Sequence, residues 1–387
     1  MINSEFIKNF EGIFKEKPTY LIDTGGRFEI IGNHTDHNHG LCLVANCSLR
    51  VSAAIKKNEN EVRIKSKGYL FFSFNVNDLS LNEKEKGTTL ALCKGILFKL
   101  KEQGYKIGGF DAYMESDIPD GSGVSSSAAV ESLFGYIISY LYNDHKIEPI
   151  VIAKDGQYSE NNFFGKPCGL LDQIGTSFND CNFIDFKDVA NPRIVPLAFN
   201  LPLSLYLIKS EGDHSNLTPL YAAIPNAMYE VANLLDGKKY LRDVNVLDVY
   251  DRIDELNVPD EVKRKAKHFF LENNNVRYAK EAIETNNVED FLGAIRNSQH
   301  SSKTNLENTF VKGEYKDSMQ NIIDEVDKFI GKNGAIRIHG GGFKGTCLAF
   351  IKNDFVKDFD EYLEKHYKNR YYKVNISKKA VNFVNLD

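Results

Sequence analysis

The sequence predicts a two-domain protein of mixed α/β (α+β) structure. Its 387 residues exceed the ~100 to 200 residues of an ordinary domain. Strand-like and helix-like patterns alternate in both halves, and a composition of 42% hydrophobic and 26% charged residues is typical of a globular chain. The pattern starts afresh near Asn200, which predicts an N-terminal domain over 1–200 and a C-terminal domain over 201–387.

In the N-terminal half, short runs rich in Val, Ile and Phe alternate with polar turns and predict strands. These runs are residues 49–56, 61–66, 70–76, 109–115 and 183–186. Apolar residues at helical spacing predict helices. These helices are residues 88–102, 124–142 and 150–164. A sheet is therefore expected in this half.

The C-terminal half repeats this alternation. The predicted helices are residues 220–235, 260–284, 288–299, 317–330 and 356–366. The predicted strands are residues 203–208, 335–338, 347–351 and 371–376. Two of these strands enclose a glycine-rich turn.

Composition excludes several classes of function. The net charge of −5 favours neither a nucleic acid nor an anionic membrane surface as partner. The six cysteines contain no C-x-x-C pair, as expected in a reducing compartment. The N-terminal segment lacks the pattern of a signal peptide, and no apolar run approaches the ~18 residues of a membrane span. A cytoplasmic protein is expected; its oligomeric state is not readable, and a monomer is compatible with the sequence.

The segment at 26–40, GRFEIIGNHTDHNHG, concentrates polar side chains after an apolar run. His34, Asp36 and His37 lie within four positions, and a buried polar atom without a partner costs about 1 to 3 kcal/mol. Such a cluster indicates a ligand site, with a metal as one possible ligand. A solvated loop is the alternative.

The segment at 120–129, DGSGVSSSAA, combines two glycines and three serines before a helix. Free amides and the dipole at a helix N-terminus attract anions, so phosphate is the expected ligand. The segment is neither a Walker A loop, because no Lys follows Gly123, nor a G-x-G-x-x-G motif, because position 126 is Ser. The alternative is an ordinary helix cap with additional serines. One hydroxyl here could help to hold Mg2+.

Two further segments carry candidate functional groups. In ENNFFGKPCGLLDQ, residues 160–173, the carboxylates of Glu160 and Asp172 are candidates for a cleft, with the surface as the alternative. In HGGGFKGTC, residues 339–347, four glycines within six positions allow positive φ angles and a close backbone approach. The second segment therefore predicts a loop that faces a ligand.

Together these segments resemble the motifs of the galactokinase branch of the GHMP kinases, which phosphorylate small molecules. Residues 26–37 are similar to G-R-x-N-L-I-G-E-H-T-D-Y, and residues 119–128 to P-x-G-x-G-L-S-S-S-A. Residues 340–347 are similar to a G-G-G-F-G-G-C turn, and residues 163–173 to the galactokinase signature F-x-G-x-P-C-G-x-x-D-Q. The motifs occur in family order across essentially the whole chain.

The resemblance implies a fold and a reaction. The fold would be the GHMP kinase fold, with an N-terminal domain like domain 2 of ribosomal protein S5 and a ferredoxin-like C-terminal domain. The reaction would be the ATP-dependent phosphorylation of the C1 hydroxyl of galactose. Asp172 would accept the proton of that hydroxyl, and Arg27 would keep Asp172 ionised. Ser127 and Glu160 would hold Mg2+.

The resemblance also assigns binding residues. The ATP phosphates would be held by the turn made of Gly121, Ser122, Gly123, Val124, Ser125, Ser126 and Ser127. The sugar would be held by Asn33, His34, Asp36, Gly169, Asp172 and Tyr221, the last of which aligns through its distance from His214. A zinc site at 34–39 is then disfavoured, because no second ligand cluster occurs elsewhere in the chain.

The chain departs from the family pattern at several positions. Asn33 replaces a Glu that in the family binds the C6 hydroxyl of the sugar, and Glu29 replaces an Asn. His37 replaces Tyr, and Lys344 enters the glycine-rich turn. The lost charge at Asn33 removes a barrier to a C6 carboxylate. A kinase for another sugar, such as galacturonate, is therefore the alternative to a galactose 1-kinase, and a sugar sensor without turnover is a third.

Overall fold

The computed structural model describes residues 4–211, 217–316 and 318–386. Two positions named above, His214 and the start of the predicted helix at Asp317, lie outside the described residues. The strands are β1 (Tyr20–Ile31), β2 (Leu41–Asn58), β3 (Glu61–Ser66), β4 (Phe72–Asn75), β5 (Gly109–Ser116), β6 (Cys181–Asp185), β7 (Arg193–Leu197), β8 (Leu203–Lys209), β9 (Gly334–His339), β10 (Thr346–Lys352), β11 (Tyr371–Val374) and β12 (Val381–Asn385). They form two sheets.

Helices cover both sheets and the space between them. The α-helices are α1 (Ser4–Phe14), α2 (Thr89–Glu102), α3 (Ser126–Tyr142), α4 (Pro149–Ser159), α5 (Leu171–Ser177), α6 (Thr218–Asp236), α7 (Val249–Asp254), α8 (Asp260–Glu284), α9 (Val288–Ser301), α10 (Met319–Ile330) and α11 (Val356–His366). None of them, within the described residues, is both long and apolar enough to cross a bilayer.

The first sheet has eight strands in the order β12-β1-β2-β5-β3-β4, with β6 and β7 added through β2. The 18-residue strand β2 is its centre, because it pairs with β1, β5 and β6. Helices α2 and α3 pack on this sheet, and Phe28, Phe110 and Phe134 are fully buried in the shared core. This packing fixes the C-terminal half of β1 against the start of α3.

The second sheet has four antiparallel strands in the order β11-β8-β10-β9. Its elements follow one another as strand, helices, strand, strand, helix and strand. This is the ferredoxin-like arrangement that the resemblance of the motifs implied. Helices α10 and α11 cover it through a core that includes Tyr206, Ile322 and Phe359. The turn between β9 and β10 points toward the end of β1, where Gly340 and Gly341 meet the loop after β1.

Helices α8 and α9 connect the two sheets. Helix α8 contacts β1 and β2, whereas α9 contacts β9. Several polar side chains of α8 are buried, among them His268 and Glu272, so this helix contributes more than apolar packing. A division of the chain at residue 200 remains a prediction; the strand β12 returns to the first sheet and pairs with β1.

Several local differences separate the structure from the pattern-based prediction. Helix α3 begins at Ser126 and not at 124, because Ser125 has a left-handed φ of 60° that a right-handed helix cannot include. The predicted helix 150–164 is divided in the structure: α4 ends at Ser159, and a π-helical turn, Glu160–Phe164, follows it. Three strands (β1, β7 and β12) and three helices (α1, α5 and α7) were not predicted.

Candidate active site

A polar cavity of about 190 Å3 lies where the end of β1, helix α5 and the turn between β9 and β10 meet. Its polar lining is made by Arg27, Glu29, Asn33, His34, Asp36, His37 and Asp172, and by the backbone of Gly169, Gly340 and Gly341. Residues from three of the four sequence motifs thus line one cavity, although up to 314 positions separate them along the chain. The fourth motif, the serine-rich turn before α3, contacts Arg27 and Asp172 from the side.

Arg27 and Asp172 form an ion pair at one wall of this cavity. The Arg27 Nε donates to Asp172 Oδ1 at 2.7 Å, and the Arg27 Nη1 donates to the carbonyl of Gly123 at 2.5 Å. The hydroxyl of Ser125 donates to the other carboxylate oxygen, Asp172 Oδ2. Burial alone would raise the pKa of Asp172, but Arg27 and Ser125 outweigh burial and lower it. Asp172 is therefore an ionised carboxylate at neutral pH, suited to accept a proton.

Close packing of α5 on β1 sets the position of this pair. A Cβ at Gly175 would lie 2.6 Å from Arg27 Cβ, so only glycine allows the two elements to approach this closely. The backbone amide of Arg27 also donates to the carbonyl of Val124 at 2.9 Å, which ties β1 to the turn before α3.

The turn before α3 has the features of an anion site. Gly121 and Gly123 have φ angles of 69° and 72°, which favour glycine. The carbonyl of Ser122 accepts from Thr346 Oγ1 at 3.0 Å. The carbonyls of Gly123 and Val124 both accept from Arg27. Within the described residues no acceptor is bonded to the amides of Gly123 and Val124. The carbonyls are thus bound by the protein, and amides remain for an anion.

A second cavity, of about 310 Å3, adjoins the first turn of α3. Leu92, Met114 and Ile118 give it an apolar wall, and Ser126 and Ser127 give it a polar edge. Apolar walls with a few polar groups are typical of sites for small organic ligands. A ligand here would reach the amides of the turn with its anionic end.

Ser127 and Glu160 lie together beside this edge. The Ser127 hydroxyl donates to Glu160 Oε1 at 3.0 Å, and the Gln173 side chain donates to Glu160 Oε2 at 2.9 Å. The Lys166 ammonium lies 3.3 Å from Glu160 Oε1. Two oxygen donors at this spacing fit a hard divalent cation that takes its remaining ligands from phosphate and water. In the part of the chain described, no group of three acidic, His or Cys side chains forms a metal site by itself.

His34 is held in one orientation by both ring nitrogens. Its Nε2–H donates to the carbonyl of Gly341 at 2.8 Å, and its Nδ1 therefore accepts from His37 Nε2 at 3.0 Å. Burial and the neighbouring His37 lower the pKa of His34 to about 3. His34 is thus neutral at physiological pH, and its backbone is left-handed, with a φ of 57°.

The remaining predicted sugar residues take different places. Asp36 lines the cavity opposite Gly169, where a Cβ would lie 3.0 Å from Asp36 Oδ2. Tyr221 lies behind the glycine-rich turn: its hydroxyl donates to the carbonyl of Gly342 at 2.9 Å, and it is not among the described residues that line the cavity. Its contact with a sugar stays a prediction.

The sequence did not identify the residues that hold the loop after β1. Glu272 Oε1 accepts from the backbone amides of Gly32 at 3.0 Å and Asn33 at 3.1 Å. The His268 Nε2 lies 2.9 Å from the carbonyl of Asn33. Burial alone would raise the pKa of Glu272, but the neighbouring His268 and Arg337, together with hydrogen bonds, outweigh burial and lower it. The one available signal was a run of four polar residues, 272–275, between apolar residues of the predicted helix 260–284.

Comparisons with known proteins agree with this geometry. Residues 91–179 match the model of the GHMP kinases N terminal domain, and residues 8–57 match the galactokinase galactose-binding signature. The chain is 29% identical over 384 residues to a galactokinase of Streptococcus thermophilus, covering 95% of this chain and 94% of that protein. It is 26% identical over 390 residues to a galactokinase of Limosilactobacillus reuteri, covering 96% and 95%.

A solved structure has the same fold. The galactokinase of Lactococcus lactis in complex with galactose matches with a TM-score of 0.82 over 99% of both chains, at 20% sequence identity. Family models, full-length relatives and fold agree with one another, and all four motifs meet at the cavities described above. The chain therefore carries a GHMP kinases N terminal domain and the galactose-binding signature of galactokinases.

Proposed function

We propose that this enzyme transfers the γ-phosphoryl group of ATP to the C1 hydroxyl of galactose, which gives galactose 1-phosphate and ADP. The observation that carries the proposal is the position of Asp172. This ionised carboxylate lines the polar cavity and also bonds to Ser125 of the turn before α3. A proton acceptor at that junction would lie between a bound sugar and a bound nucleotide.

Asp172 and Arg27 would act at the reacting oxygen. Asp172 would take the proton of the attacking hydroxyl, and the Arg27 guanidinium would stabilise the negative charge that develops there. Positioning and electrostatics supply most of the rate in phosphoryl transfer. The hydrogen bond from Arg27 Nη1 to Gly123 matters for this reason, because it fixes the guanidinium relative to the phosphate turn.

The nucleotide would occupy the second cavity, with its phosphates on the turn from Gly121 to Ser127. Ser127 and Glu160, whose oxygens are 3.0 Å apart, would hold Mg2+. When bound, this cation neutralises phosphate charge. Lys166 would contribute a further positive charge on the same side, since it already pairs with Glu160.

The sugar would bind in the polar cavity. His34, Asp36 and the backbone of Gly169 line it and offer hydrogen-bonding groups to hydroxyls, and Asn33 lines it as well. A cytoplasmic location is part of the proposal, because the six cysteines are free thiols. No observation favours a sensor without turnover, because the proposed catalytic residues are all present and in contact: Arg27 with Asp172, and Ser127 with Glu160.

A sugar panel tests this function directly. The purified protein is assayed for ADP release with MgATP and galactose, glucose or galacturonate, and the phosphorylated product is identified by 31P NMR. We expect galactose 1-phosphate, with kcat/KM for galactose at least about 100-fold above that for galacturonate, a difference of about 2.7 kcal/mol. An absence of ADP release with galactose would refute the proposal, and a preference for galacturonate would replace the substrate.

A further inference from the structure

Glu29 places a carboxylate in the sugar cavity with one oxygen uncommitted. The residue is 7% exposed and lines the cavity beside Arg27. Its Oε1 accepts from Asn33 Nδ2 at 3.1 Å and lies 3.5 Å from Arg337 Nη2. No described residue is hydrogen-bonded to Glu29 Oε2, and that atom is not among the fully enclosed unpartnered ones. An acceptor is therefore available to a ligand in the cavity.

The neighbouring amide has no such freedom. Asn33 Nδ2 donates to Glu29 and to the carbonyl of Gly340 at 2.7 Å, and Asn33 Oδ1 accepts from Asn308 Nδ2 at 2.8 Å. With these bonds its side chain is engaged on both ends. Asn33 thus acts as a support for Glu29 and for the glycine-rich turn, and Glu29 is the member of the pair that faces a ligand.

The pair is a reciprocal exchange of the motif given above. The pattern G-R-x-N-L-I-G-E has Asn and Glu where this chain has Glu29 and Asn33. Because the two side chains are in contact, the exchange keeps one carboxylate and one amide at the same place. The charge that appears lost at Asn33 is therefore retained at Glu29.

A buried guanidinium lies beside this carboxylate. Arg337 is fully buried and donates to the backbone carbonyls of Glu29 and Ile30 as well as facing the carboxylate. Burial raises the pKa of Glu29, while Arg337 and Arg27 oppose the rise. Asp36 and Asp172 also line the cavity, so its side chains carry three carboxylates and one guanidinium. Such a cavity disfavours an anionic ligand.

We infer that Glu29 is the specificity-determining residue of the sugar cavity, where Oε2 accepts a hydrogen bond from a hydroxyl of a neutral hexose and the negative charge excludes a hexuronate. The inference rests on the proposed sugar kinase function. Glu29 would then provide the discrimination between galactose and galacturonate. Asn33 could not provide it, because an uncharged amide does not repel a sugar carboxylate.

Two variants test the assignment by ADP release with galactose and galacturonate. Glu29→Gln keeps the shape and removes the charge, so we expect kcat/KM for galactose to fall about 10- to 100-fold and the preference over galacturonate to narrow at least tenfold. The double variant Glu29→Asn/Asn33→Glu restores the family order and should return kcat/KM for galactose to within about tenfold of wild type. Glu59→Gln, an exposed carboxylate away from both cavities, is the matched control. Circular dichroism verifies the fold of each variant.

The outcomes separate the two claims. A wild-type protein that releases no ADP with galactose would overturn the proposed function and the inference with it. An active wild type whose Glu29→Gln variant keeps the same preference would overturn the role of Glu29 alone. A measurement that needs no variant is sugar binding to the wild type by calorimetry: galacturonate should bind at least about 100-fold more weakly than galactose, and equal affinities would contradict the inference.

Discussion

Replacement of Gly175 by alanine should disable the reaction without touching a reacting group. The new Cβ would lie 2.6 Å from Arg27 Cβ and 3.1 Å from Arg27 Cγ, whereas ordinary contact begins near 3.4 Å. Helix α5 and strand β1 must therefore separate by about 0.8 Å, the difference between the 2.6 Å contact and the 3.4 Å at which ordinary contact begins. Asp172 lies one turn before Gly175 on the same helix, so it moves with the helix and away from Arg27.

The magnitude follows from this displacement. A misplacement of ~1 Å can cost about 100-fold in rate, so kcat of Gly175→Ala should fall about 10- to 100-fold. Overpacking costs about 1 to 3 kcal/mol of stability, partly offset by the gain of about 1 kcal/mol from alanine within a helix. The variant should therefore remain folded with a modestly lower melting temperature.

The assay is ADP release at saturating galactose and MgATP. Gly293→Ala is the matched control, because a Cβ at Gly293 on helix α9 meets no atom within 4 Å. This control should keep wild-type kcat and gain slightly in stability. If Gly175→Ala retained kcat within threefold of wild type, the close approach of α5 and β1 would not position the catalytic pair.

Three further predictions concern single side chains. Asp172→Asn should lower kcat by about 10²- to 10⁴-fold while calorimetry shows unchanged MgATP binding; near-normal turnover would exclude Asp172 as the base. Glu272→Gln should raise KM for galactose about tenfold with kcat within threefold, because Glu272 positions the sugar loop and touches no reacting atom; an equal loss in kcat would indicate a different role. The lowered pKa of His34, about 3 against ~6.5 in the unfolded chain, makes its contribution to stability complete above pH ~6.5 and progressively lost below it. At pH 5 that loss is about 2 kcal/mol, so urea unfolding of His34→Asn should show a shallower fall in stability between pH 6.5 and 5 than wild type, and parallel curves would contradict the assignment.

The elements that the sequence predicted are those whose local pattern agrees with their final environment. Helix α8 was predicted at its observed bounds, since its apolar spacing and its flanking turn both favour that conformation. Strand β1 was missed because Gly25, Gly26 and Arg27 resemble a loop; the strand exists through its pairing with β2 and the burial of its far end.

The site was predictable only as far as the motifs extended. The motifs identified Arg27 and Asp172 as candidates. Local sequence, however, contains no information on the contact between them, because 145 positions separate the two residues. Glu272 and Arg337 belong to no motif, and their roles depend on tertiary packing against the end of β1. Ser125 was predicted as part of the turn around the phosphates, whereas the hydrogen bond from its hydroxyl to Asp172 could not be predicted from the motif.

The pairing of β12 with β1 has a consequence for folding. Strand β1 carries Arg27 and Glu29, and its outer edge is covered only when residues 381–385 pair with residues 20–24. Until that pairing forms, β1 has an uncovered edge, the kind of surface on which chains aggregate. The sheet that carries Arg27 therefore depends on a contact between distant parts of the chain, and contacts of this kind form slowly during folding.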